Sequence, residues 1–179
     1  IDQLSEKAQQ YNYESIAITD SANLFGFLKF YKSVRSKGIK PIAGAEINHV
    51  KDRSSHDEHA NLTLIAKNQI GYKNLIKLIS KSQIVGKTSG IPVIETEWLA
   101  EHSDGLIALS GGFRGHIGKA VLDTNHDLFL KRIKYFQKIF NEDFILEISR
   151  INRPQEDLYN DYILSKAGEL GLPVVASNE

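Results

Sequence analysis

Apolar positions along the chain fall into two spacings. Over residues 24–37, Leu24, Phe27, Leu28, Tyr31 and Val34 recur every three or four residues, the single stripe of an amphipathic helix. Lys29, Lys32 and Arg35 lie on another side and read as a solvated helix face, and Gly38 follows as a C-terminal cap. Ile70, Leu75, Leu78 and Ile79 predict a similar helix over 69–82. Between the helical stretches stand short β-rich runs, each led in by a charged helix or a polar loop: "SKGIKPIAGAEI", "EHSDGLIALSG", "KYFQKIF…FILEIS" and "ELGLPVVAS". The pattern predicts strands at 15–19, 40–47, 61–66, 105–109, 144–148 and 173–176. It predicts helices at 2–12, 24–37, 69–82, 95–101, 114–122, 126–140 and 154–170, with Pro154 at a helix start and Gly171 at a helix end.

Helix followed by buried strand, repeated, is the signature of parallel α/β architecture. Parallel strands covered on both faces require a closed barrel or a doubly wound sheet. No Gly-x-Gly-x-x-Gly follows a strand, which removes the dinucleotide fingerprint. The Gly-rich turn "SGGFRG" at 110–115 lies between strand and helix; its amides could cradle a phosphate, and a plain tight βα turn is the commoner use of such a segment. No low-complexity linker divides the chain, so one domain over 1–179 is expected.

Composition narrows the function classes. Lys+Arg and Asp+Glu are both 22, so no global charge draws the chain to nucleic acid or to a membrane. There is no cysteine, hence no disulfide framework and no thiolate metal site. No apolar run approaches the ~18 residues of a membrane span, and the first residues do not resemble a signal peptide, so a cytoplasmic location is expected. The absence of Met and the abrupt end after "LPVVASNE" read as part of a longer protein.

Candidate chemistry gathers at the ends of the strands. In "AITDSANLFG", Asp20 closes an apolar run, where α/β barrels carry their reactive groups. Ser21 and Ala22 follow it, where a metal site would call for an imidazole. Glu46, Asn61, Ser110, Glu147, Asn178 and Glu179 would converge with Asp20 and Ser21 if the strand ends meet. Such a set suits a hard cation such as Mg²⁺ and is poor for Zn²⁺ or a binuclear cluster. Glu46 and Glu147 read equally well as buried carboxylates satisfied by their neighbours. The six histidines lie elsewhere: His49, His56 and His59 in or beside the loop "HVKDRSSHDEH", and His102, His116 and His126 flanking helices.

The segment "AITDSANLFGFLKFYKSVRSKGIKPIAGAEI" resembles the PHP (polymerase and histidinol phosphatase) domain of bacterial replicative C-family DNA polymerases, whose pattern there reads A-x-T-D-H-G-N-L-x-G, then G-I-K-P-I-x-G-x-E. "LTLIAKNQIGYKNLIKLIS", "GLIALSGG", "FILEISRINRPQE" and "LGLPVVASNE" match the same family in the same order. The resemblance implies a distorted seven-stranded (β/α) barrel, similar to a TIM barrel, here without its first strand because the family's His-x-His segment would precede Ile1. It places Asp20 and Glu46 where metal-binding members have the same residues. It places Ser21 at a ligand His, Asn61 at a His, Gly112 at a Cys or His, Ile151 at a His and Glu179 at an Asp. Seven relic positions without a working metal set, no catalytic residue and no cofactor are what it implies for this stretch. The parent chain would be a DNA-directed polymerase using Mg²⁺, touching DNA elsewhere. The partners implied are the proofreading exonuclease and other replicase subunits, with Phe30, Tyr72 and Tyr135 as expected aromatic contacts. The alternatives are an active metal-dependent phosphoesterase or 3′–5′ exonuclease, and a metabolic (β/α) enzyme using Asp20 and Glu46.

Overall fold

A computed structural model describes residues 1–52 and 59–178. Helix α1 (Asp2–Gln10) leads into β1 (Ser15–Ser21), α2 (Phe27–Ser36), β2 (Lys40–Val50), β3 (Ala60–Ala66) and α3 (Gln69–Ile84). A short hairpin, β4 (Lys87–Thr88) and β5 (Ile91–Glu95), precedes α4 (Thr96–Glu101) and β6 (Leu106–Leu109). A 3-10 turn (Gly112–Arg114) then opens α5 (His116–Leu122), followed by α6 (His126–Phe140), β7 (Phe144–Ile148), α7 (Glu156–Leu170) and β8 (Val174–Ala176).

Every strand and helix read from the sequence is present, with ends moved by a few residues. The largest movements are of three residues, at the start of α2 and the end of β2; at α7, Pro154 lies in a turn before the helix and Gln155, in the left-handed region, stands at its N-cap position. The hairpin β4–β5 was not read. It is short, and Gly90 and Pro92 punctuate it as a turn would.

One sheet runs in the order β4-β5-β2-β3-β6-β7-β8, with β1 also on β2. The long β2 makes this branching possible: residues 40–46 pair with β1, and Asn48–Val50 pair with β5 along the same edge. The sheet is mixed, which corrects the all-parallel expectation: β3 is antiparallel to both β2 and β6. Only residues 51–59 connect β2 to β3, and a parallel return needs a crossover of about a dozen residues or more. The barrel is not closed.

The core lies between one face of this sheet and the helices. Ala45, Ile47, Leu62, Leu64 and Ala108 from the strands meet Leu75 and Leu78 of α3 and Phe129, Ile133 and Phe136 of α6. A satellite cluster joins Ala8 of α1, Phe30 and Val34 of α2, and Ile39. The buried stripe of α2 is therefore Phe30 and Val34, with Phe27 beside it, while Leu28 and Tyr31 are exposed. Phe30 is fully buried, so it is not a surface contact; Tyr72 and Tyr135 are half-buried.

The "KNQIGYKN" block positions α3 by three local devices. Asn68 caps the helix by accepting from the amides of Ile70 and Gly71 at 2.9 and 3.0 Å. Asn74 donates to the carbonyl of Asp104 at 2.9 Å. At Gly71 a Cβ would lie 1.7 Å from the Gly105 carbonyl oxygen, so only glycine lets α3 approach the turn before β6.

Candidate functional site at the mouth of the sheet

Strand register decides which candidates meet. Directly paired residues share a face, and the pairs Ser21–Glu46, Glu46–Thr63, Asn48–Asn61, Thr63–Leu109 and Leu109–Ile145 put Ser21, Glu46, Asn61 and Glu147 on the face away from the main core. Asp20 pairs with Ala45, a core residue, and so belongs to the opposite face with Ile16 and Ile18. There its Oδ2 accepts the amide of Gly26 at 2.9 Å, where the chain turns into α2. A Cβ at Gly26 would come within 2.7 Å of that oxygen, which accounts for the glycine in "ANLFG". The register thus places Asp20 and Glu46 on opposite faces of the sheet.

The remaining mouth groups are tied to one another. Glu46 faces the guanidinium of Arg114 at 3.4 Å, an ion pair with both side chains partly exposed. Glu147, buried, takes the amide of Gly111 at 3.0 Å, and its own amide donates to the Ser110 hydroxyl at 2.9 Å. The "SGGFRG" turn therefore already spends an amide on a carboxylate of the same chain. Gly111, at φ +77°, packs against the Asn61 carbonyl, and Asn61 bridges to Gly115. Gly112 brings no side-chain donor, and a Cβ there would meet nothing within 4 Å.

After β7 the chain is held by a residue the sequence reading missed. The buried Glu156 accepts the amides of Ile151 and Asn152 at 2.9 Å each and the Ser149 hydroxyl at 3.2 Å. The Ile151 amide leads the causes that hold the Glu156 carboxyl below its ordinary range, against the opposing effect of burial. The signal was available in "SRINRPQE": an acidic residue a few positions after a strand, opening a helix, is placed to accept loop amides. Ile151 itself presents an apolar side chain. Glu179 and His56 lie outside the described residues.

Whether this mouth suits a metal follows from its donors. Ser21 and Asn61 are neutral, Gly112 and Ile151 offer no side-chain ligand, and the carboxylate of Glu46 meets a cation from its own chain. Multi-metal hydrolytic sites need imidazole and carboxylate donors converging on open positions. Among the described residues no group of three or more His, Cys, Asp or Glu side chains is placed to hold an ion. The described residues of the mouth do not supply that combination of imidazole and carboxylate donors.

A second polar group lies on the other face, behind the end of β2. His49 is 2% exposed, and its Nδ1 lies 2.9 Å from Nε2 of His116, the first residue of α5. His116 Nε2 is also 3.2 Å from the His49 carbonyl, and His49 Nε2 is 3.3 Å from the Thr96 hydroxyl, which also accepts from Tyr135. A proton on His116 Nε2 and another on His49 Nε2 satisfy these contacts with the His49 ring neutral. Burial, with His116 adding to it, lowers the pKa of His49 to about 3. The sequence reading left His49 with the polar loop; its pairing with His116 joins positions 67 residues apart, which no local pattern reveals.

The PHP domain family model matches residues 1–151. The DNA polymerase III subunit alpha of Vibrio cholerae is 42% identical over 176 residues, covering 98% of this chain and 15% of that protein. The same subunit of Escherichia coli K12 is 40% identical over the same coverage, and that of Borreliella burgdorferi is 37% identical along the whole chain and 16% of its own length. The chain thus spans about 15% of the length of these relatives. Two solved structures superpose at 12% identity, each over 98% of this chain and 80% of its own. One, described as a metal-dependent phosphoesterase from Bifidobacterium adolescentis, has a TM-score of 0.63; the other, an amidohydrolase from Chromobacterium violaceum, has 0.61. At that identity the likeness is one of fold, and it matches the mixed α/β sheet and helices seen here. With the family model covering most of its length, this chain belongs to the PHP domain family.

Proposed function

We propose that this chain is the PHP domain of a replicative DNA polymerase III alpha subunit, that the DNA-directed polymerase lies elsewhere in the parent chain, and that this domain works as a scaffold in the cytoplasm. The relatives at 37–42% identity support the parentage. The observation that carries the scaffold reading is the Arg114–Glu46 contact at 3.4 Å. A guanidinium faces Glu46, which among the described residues is the carboxylate that both matches a family metal position and faces the mouth. Its fixed charge competes with a divalent cation there, and the neutral Ser21 and Asn61 cannot offset that competition.

On this reading Asp20, Ser21, Glu46, Asn61, Gly112, Ile151 and Glu179 are relic positions with no catalytic role. The domain holds no cofactor of its own, and Mg²⁺ serves the parent's polymerase centre. The partner expected on its surface is the 3′–5′ proofreading exonuclease, with other replicase subunits nearby. The balanced charge of 22 against 22 favours a protein partner over bare DNA, which is held by excess Lys and Arg. No helix among the described residues is long and apolar enough to cross a membrane.

The test is chemical cross-linking of the full-length chain in complex with its exonuclease, followed by a nuclease assay of the exonuclease-free chain. Cross-links from lysines such as Lys32 and Lys73, with no phosphodiester hydrolysis that responds to Glu46→Gln, are expected. Cross-links confined to the rest of the chain would remove the scaffold role, and Glu46-dependent hydrolysis would establish the active phosphoesterase instead.

A further inference from the structure

A cluster of positive charge lies away from the mouth. A cavity of about 570 Å³ opens where the end of β2 meets α5 and α6. Its wall carries Lys51, Lys119, Lys131 and Arg132, and one carboxylate, Asp123. Among the described residues, a chain with equal numbers of acidic and basic residues thus places four cations against one anion in the lining of a single concavity. Clefts lined by one sign of charge over a low-dielectric wall focus their field and raise the local concentration of a complementary ion. The size lies within the range of ligand cavities, about 300–1,000 Å³.

The cations of the wall are held in different ways: Lys119 donates to the His59 carbonyl at 3.0 Å. Arg132 is half-buried and donates from one guanidinium nitrogen to the His116 carbonyl, which fixes its fork beside the cavity. Burial is the main influence on it and disfavours its charge, with Asp123 opposing. A guanidinium so placed gains from an anion that satisfies its other N–H donors. The side chains of Lys51 and Lys131 make no hydrogen bond or ion pair among the described residues, and both belong to the wall. The lining is not only charged: Leu128, Tyr135 and Phe136 form an apolar side. Tyr135 spends its hydroxyl on Thr96 and packs edge-on against Phe136, leaving the ring held from behind.

We propose that this cavity binds a phosphorylated small molecule of about nucleotide size, its phosphate held by Lys51, Lys131 and Arg132 and its apolar part resting against Leu128 and Tyr135. A phosphate suits the donor set better than a carboxylate because several non-coplanar cations surround one concavity, and three phosphate oxygens can engage them together. The inference stands apart from the scaffold reading: it uses none of the mouth residues.

The experiment is hydrogen exchange on the full-length chain, read on peptides covering 116–136, with adenosine monophosphate, pyrophosphate or adenosine added at millimolar concentration. Reading these peptides alone separates the cavity from any nucleotide site elsewhere in the parent chain. Protection by the monophosphate or by pyrophosphate, and none by adenosine, is expected, with the first probe reporting a nucleotide and the second a free phosphate source. The variant Lys51→Gln/Lys131→Gln, which alters two exposed side chains, should weaken that protection at least tenfold while the exchange of β3 and β7 stays unchanged. No protection by either phosphate compound, equal protection in the variant, or protection only by a single-stranded oligonucleotide would each overturn the proposal.

Discussion

The two faces of the sheet treat their polar residues in opposite ways. On the open face, the mouth groups are consumed internally: Glu46 by Arg114, Glu147 by the Gly111 amide, and the loop after β7 by Glu156. On the helix-covered face, behind β2, a buried His49–His116 pair stands at the edge of a cavity whose cations exceed its anions. The first region has the position of an active site, and its residues serve packing and loop geometry. The second lies outside the motifs that carry the family resemblance, and Lys51 and Lys131 there are exposed. Location at the strand ends is therefore a poor guide to chemistry in this chain; the state of each group's partners is the better one.

The largest effect expected from perturbing this contrast is at Gly111. A Cβ there would lie 2.1 Å from the Asn61 carbonyl oxygen, and the residue sits at φ +77°. Gly111→Ala should cost about 3 kcal/mol, combining left-handed strain with displacement of the β3 end. At neighbouring Gly112, at φ +52° with nothing within 4 Å of the added carbon, the same substitution should cost only the conformational part, about 1 kcal/mol. Chemical denaturation of the two variants checks this, and equal losses would mean that the mouth is not the tightly tied region described.

An effect smaller per pH unit is expected from the other face, and it accumulates as pH falls. His49 is neutral in the fold, with its pKa lowered to about 3 from the ordinary 6.5. As pH falls below about 6.5 the unfolded chain takes up this proton and the folded chain does not, so the stability from His49 is full above that pH and is lost progressively toward 3. The slope contributed is at most about 1.4 kcal/mol per pH unit. His49→Gln should flatten the acid limb of the stability profile by that amount, measured by denaturant titration between pH 7 and 4 and compared with His116→Gln. An unchanged limb would mean that His49 is not held neutral.

How far the sequence carried this picture depended on the range of the interactions. The strands and helices were legible because apolar spacing is local, whereas the "KNQIGYKN" block was read only through its family resemblance, and the contacts of Gly71 and Asn74 with the turn at 104–105 lie about 30 residues away. The direction of β3 was less accessible, since the helix-then-strand rhythm implies parallel strands and only the short 51–59 connection argues against it. Side-chain facing in α2 was misread because Leu28 and Phe30 are equally apolar, and only the packing against Ile16, Ile18 and Ile39 chooses between them. At the mouth, the positions of Glu46 and Asn61 followed from motif order, whereas the separation of Asp20 from Glu46 depends on a register that alternates with each residue. The pairing of Arg114 with Glu46 and of His49 with His116 joins residues more than 60 positions apart, beyond any local signal.

The central claim, that the mouth cannot hold the family's metals, is tested most directly by measuring metal per chain. The full-length protein, equilibrated with Zn²⁺ or Mn²⁺ and freed of loose ions, is compared with Glu46→Ala and with Arg114→Ala by elemental analysis. The account predicts the same metal content in all three, because removing one carboxylate takes away no bound ion and removing one guanidinium restores no ligand. One or more ions per chain in the wild type, lost in Glu46→Ala, would contradict it.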